Sequence, residues 1–156
     1  MTIKMLFAGS LAALALGATA ALADDALPVG SLDAVLERGA AYGFTHYLEL
    51  EAKERGQVEI EGWLDEEWQA EVRLALESGE LYKESRKRRD DGPWGMSEAE
   101  VRLAMEVAVA ESMAEFEEVE IKRDGLIEIK GRDEDGRELE VTTRRGEEEA
   151  LKVERD

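Results

Sequence analysis

The chain has 156 residues, no cysteine and one histidine, and 20 Lys and Arg stand against 38 Asp and Glu for a formal charge of -18. So acidic a surface repels nucleic acid and anionic lipid, which makes both poor partners. Without cysteine, and with His46 alone, the usual zinc sites, cysteine nucleophiles and disulfides are excluded, so stability rests on packing.

The N-terminus reads "MTIK", then the apolar "MLFAGSLAALALGA", then "ALADD" with Ala21 and Ala23 at a small-x-small cleavage site. This predicts a secretory signal peptide over 1–23, cleaved after Ala23, and a periplasmic or secreted protein. Loss of those 23 residues leaves 133 and, because Lys4 goes with them, takes the charge from -18 to -19. No second apolar run is long enough to span a bilayer, so no membrane insertion is expected after signal removal.

The first predicted element is a helix in "SLDAVLERGAAYGF", with Ser31 as its cap, Leu32, Val35 and Leu36 as its stripe, and Gly39 and Gly43 keeping it short. The period then switches from 3.6 to 2. Leu48, Leu50 and Ala52, then Val58 and Ile60, then Ala70, Val72, Leu74 and Leu76 alternate with charged residues, the pattern of strands with one buried and one wet face. In "RKRRDDGPWG", 86–95, a charge run followed by Gly and Pro marks a linker, placed at 89–96. A second helix starts at Ser97, whose partner Glu100 completes a capping box, and continues through Val101, Ala104, Met105 and Ala108. Three more strands follow at Val119 and Ile121, Ile127 and Ile129, and Leu139 and Val141, with Asp124-Gly125 as a hairpin signal.

The two halves read as copies. "GQVEIEGWLDEEWQAEV" from Gly56 aligns without a gap on "GLIEIKGRDEDGRELEV" from Gly125, so Gly62 matches Gly131. The expected fold class is α+β: two repeats of a helix followed by a three- to four-stranded antiparallel sheet, the helix packed on one sheet face. The units span 28–88 and 97–156.

This order of elements, with "VEIEGWLDEEWQAEVRLALESGELY" and "IEIKGRDEDGRELEVTTRRG" as the best local matches, resembles the PepSY superfamily and its β-lactamase-inhibitor-like periplasmic branch. Unit one departs in lacking Gly in its "LDEEW" turn, and the final turn of unit two is shorter. The resemblance implies a helix laid on an antiparallel sheet and a role in binding or inhibition. It implies no catalytic residue and no cofactor.

Candidate sites are few. Asp133, Asp135, Gly136 and Glu140 suggest a calcium loop, but with Gly136 at position 6 an EF-hand would have Gly131 at position 1 and Thr142 at position 12, and neither fits. His46 lacks a metal-binding partner and reads as structural. Glu115, Glu117, Glu118 and Glu120 read as a solvated face in so acidic a chain. Ser31 and Ser97 are helix caps rather than nucleophiles. Trp63, Trp68 and Trp94 are the candidate partner contacts, with packing between the units as the alternative. "RKRR" at 86–89 reads as local charge balance. The expected function is that of a non-catalytic exported binding protein, an inhibitor of a peptidase or a modulator of an envelope protein, acting through its sheet edge or face. The alternative is a periplasmic protein binding a small solute or cation between two sheets.

Overall fold

The computed structural model describes residues 25–156. The leader over 1–23, with its cleavage after Ala23, lies outside these residues. In chain order the elements are β1 (Leu27–Pro28), α1 (Leu32–Tyr42), β2 (His46–Lys53), β3 (Gln57–Trp63), β4 (Trp68–Ala75) and β5 (Leu81–Arg88). Then come α2 (Glu98–Ala110), β6 (Met113–Ile121), β7 (Leu126–Asp133), β8 (Glu138–Arg144) and β9 (Lys152–Arg155).

The strands form a single nine-stranded antiparallel sheet in the order β5-β4-β3-β2-β6-β7-β8-β9, with β1 beside β6. This overturns the expected α+β class of two helix-plus-sheet repeats. The fold is mostly antiparallel sheet with two short helices, because β2 does not end a sheet but pairs Glu49, Leu50 and Glu51 with Glu120, Val119 and Glu118 of β6. A segment of about 60 residues buries too little apolar surface to stand alone, and joining through β2 and β6 gives both segments one core.

Both helices lie on the apolar face of that sheet. Leu32, Val35 and Leu36 of α1 and Val101, Ala104, Met105 and Ala108 of α2 are buried against Leu50, Val58, Ile60 and Val72 on one side and Val119, Ile127, Ile129 and Val141 on the other. An ion pair from Arg102 to Asp33 ties the helices together. Ser97 caps α2 as expected, its Oγ accepting from the Glu100 N–H at 3.2 Å while the Ser97 N–H donates to Glu100 Oε1 at 3.2 Å. Ser31 does not cap α1: a 3-10 turn over Val29–Ser31 puts Ser31 in helical conformation, and its hydroxyl makes no capping bond.

Three glycines set the packing. A Cβ on Gly39 would lie 2.5 Å from the Tyr47 hydroxyl, so the absent side chain is what lets Tyr47 lie under α1. Gly62 stands opposite Tyr47 and Gly131 opposite Phe116, both buried aromatics beside a bulge. A side chain on either glycine would meet a backbone carbonyl, that of His46 or of Glu115.

The segment expected to link the halves is partly built into the fold. Arg86, Lys87 and Arg88 belong to β5, and Met96 is buried and exchanges backbone hydrogen bonds of 2.8 Å with Tyr47.

Candidate binding face

With both helices on one face, the other face of the sheet carries no helix, and the alternation that buried Val and Ile places charged side chains there. Strand register arranges them in rows. One row runs Ser85, Glu71, Glu61, Glu49, Glu120, Glu128, Thr142, Lys152 from β5 to β9. The next runs Lys83, Arg73, Glu59, Glu51, Glu118, Lys130, Glu140, Glu154.

The second row interleaves cations with its acids, as in the 2.9 Å pair of Lys130 with Glu118. In the first, five glutamates occupy five neighbouring strands with no cation among them. Lys83 pairs with Glu71 at one flank, and Lys122 reaches Glu120 at 2.9 Å and Glu128 at 3.8 Å at the other. Among the described residues Glu49 and Glu61, at the middle, make no ion pair.

Neighbouring strands lie about 4.8 Å apart, and like charges directly opposite one another destabilise a sheet. The chemistry of Glu49 responds. Burial first, then the carboxylates of Glu118, Glu120, Glu51 and Glu61, push its pKa from 4.5 to about 7. Glu61 is raised too, by burial and then by Glu71, Glu120 and Glu59, with Arg89 opposing. The five side chains stand side by side rather than converging. Among the described residues no three Asp, Glu, His or Cys are placed to hold a metal ion.

Of the residues singled out from the sequence, Glu120 stands in the first row and Glu118 and Glu140 in the second, while the others fall elsewhere. Trp63 is fully buried at the end of β3, where it offers a partner no surface. Trp68 is 39% exposed at the start of β4. Trp94 is half-buried, with the Arg123 guanidinium 4.4 Å above its ring. His46 is half-buried, its Nδ1 3.0 Å from the Thr45 hydroxyl.

Asp133 and Asp135 of the "RDEDG" loop are spent on the turn itself. Asp133 Oδ1 accepts from the N–H of Asp135 at 2.9 Å and of Arg137 at 3.0 Å, and its Oδ2 accepts from Arg137 Nε at 3.0 Å. Those backbone bonds, first that from Arg137, hold its carboxyl below the usual range. Of the "RKRR" run, Arg86 stacks on Tyr42, Arg88 pairs with Glu67 at 3.0 Å and Arg89 with Asp91 at 3.7 Å.

Glu49, Glu61, Glu71 and Glu128 were not singled out as site residues in the sequence. Each was visible as a wet-face position, but a row across strands exists only once their pairing is known. A single sheet also leaves no space between two sheets for a solute.

Among the described residues no helix is long and apolar enough to cross a membrane. No protein-family model and no curated protein matches the chain. Among solved structures the chain is similar to a "putative lipoprotein" from Clostridium difficile 630, with 18% identity, 85% of this chain and 95% of that chain covered, and a TM-score of 0.48.

Proposed function

We propose that this is a non-catalytic exported binding protein that lays its open sheet face on a basic surface of a partner protein, with a peptidase or an envelope protein as the class of partner. The observation that carries this reading is the row of five glutamates. A sheet bears the cost of uncompensated like charges at its centre without structural return, and a cationic partner removes that cost on binding. The signal-peptide pattern of residues 1–23 supports export, and the resemblance to PepSY domains supports binding over catalysis.

The test is affinity capture from an envelope extract, comparing the mature protein with a variant carrying Glu49→Gln, Glu61→Gln and Glu120→Gln. The expected result is a specific protein with a basic surface, retained by the mature protein, released by salt within the screening range of exposed charges, and lost from the variant. Retention of the same proteins by both forms would remove the carboxylate row from the function.

A further inference from the structure

The most basic element of this acidic chain is β5. Its eight residues, "LYKESRKR", are all exposed, as in no other strand of the described residues. Within the strand Lys83, Arg86, Lys87 and Arg88 stand against Glu84 alone, while Lys83 also pairs with Glu71 and Arg88 with Glu67. The strand ends the sheet, and its outer edge pairs with no strand among the described residues.

The phase of that edge follows from one bond. The Arg89 N–H donates to the Glu67 carbonyl at 2.7 Å, so positions 67 and 89 form a hydrogen-bonded pair. In an antiparallel ladder such pairs alternate, which gives 69 with 87, 71 with 85 and 73 with 83 the same role. The N–H and C=O groups of Glu84, Arg86 and Arg88 therefore point away from β4 into solvent. Exposed Leu81 and Tyr82, 46% and 55% accessible, add an apolar contact at one end.

We propose that β5 accepts an extended acidic segment of a partner protein as a further strand of the sheet. Backbone groups of Glu84, Arg86 and Arg88 supply the pairing, and the four cations select for acid. The same cations repel a second copy of β5, so the edge is guarded against self-pairing while it stays open to a strand of opposite charge. This surface adjoins the carboxylate face at Lys83, which pairs with Glu71.

The test uses capped peptides of alternating Val and Glu or alternating Val and Lys, each matched to the eight residues of β5. A third peptide is the Val-Glu form N-methylated at alternate residues. Titrated into isotope-labelled protein, the Val-Glu peptide is expected to slow amide exchange at Glu84, Arg86 and Arg88, binding roughly tenfold or more tighter than either control.

Glu84→Pro removes an outward donor without touching the β4 ladder, and it also removes the one negative charge of the strand. Strand addition predicts that Glu84→Pro weakens binding while Glu84→Ala leaves it unchanged or tighter. Attraction by charge alone predicts that both variants bind better. Equal binding of the Val-Lys peptide, absence of protection at the three amides, or Glu84→Pro binding as well as Glu84→Ala would overturn the proposal. So would a dimer by sedimentation that protects β5 without peptide, since the edge would then belong to a second copy.

Discussion

Glu49 and Glu120 face each other across the pairing of β2 with β6, where the two meanders of the sheet join. Two carboxylates at the seam of a sheet make its stability a function of pH. Glu49 carries a pKa of about 7 in the folded protein against 4.5 for an ordinary glutamate, and Glu61 is raised as well. The folded state therefore holds protons that the unfolded chain has released. This contribution is fully present below about pH 4.5 and is lost as pH rises through about 7. Asp91, held low by Arg123, and Asp133, held low by its turn, act in the opposite sense, and their contribution is lost only as pH falls below the usual aspartate range. Thermal melts are expected to show stability climbing from about pH 8 to about pH 5, then falling in stronger acid. Glu49→Gln is expected to raise the melting temperature at about pH 8 and to flatten the slope, with solvent screening of the half-exposed carboxyl holding the gain to roughly 1 kcal/mol.

The two strand glycines make a steric prediction. Gly62→Ala and Gly131→Ala each drive a methyl group into a carbonyl of the neighbouring strand, and each is expected to cost about 1–3 kcal/mol or more in denaturant unfolding. Gly30→Ala, at a glycine with open space around it, is the control and is expected to be neutral or slightly stabilising.

The helix starts are expected to behave unequally. Ser97→Ala breaks a capping box and should lower stability by about 1 kcal/mol, while Ser31→Ala, which removes no capping bond, should stay within about 0.5 kcal/mol. Urea midpoints of the two variants compare them directly.

The tryptophans separate in the same way. Trp63→Ala empties a fully buried site and is expected to cost about 3–5 kcal/mol, whereas Trp68→Ala should cost under about 1 kcal/mol. Acrylamide quenching of single-tryptophan variants should reach Trp68 and spare Trp63.

Both helices and the six strands with apolar alternation were legible in the sequence, because one buried and one wet face leave a period of two. Three strands left no such mark, β1 being only two residues long. β5 is exposed on both faces, so its residues read as a charge run, and β9 has only Val153 partly buried among polar neighbours. The meeting of β2 with β6 was invisible for another reason: pairing between strands far apart in the chain alters no local period. That gap misled the fold class and concealed the glutamate row, since Glu49 and Glu120 look like any other wet-face acids until their strands are neighbours. Trp63 lies out of step with Val58 and Ile60 and is nevertheless fully buried, so a side chain opposite the apolar face need not be exposed.

The seam also sets an order of events. Apart from the pairing of β1, every contact along the sheet joins strands consecutive in sequence except that of β2 with β6, between which lie β3, β4, β5 and α2. Local hairpins form early and long loops close late, so the hairpins of each meander are expected to precede the β2–β6 pairing, and the shared core to consolidate only with it. The repulsion between Glu49 and Glu120 is thus absent from the early steps and enters at the last. The acidic residues of this chain are therefore expected to slow the closing of the sheet and protonation to speed it, which refolding rates at about pH 8 and about pH 5 would compare.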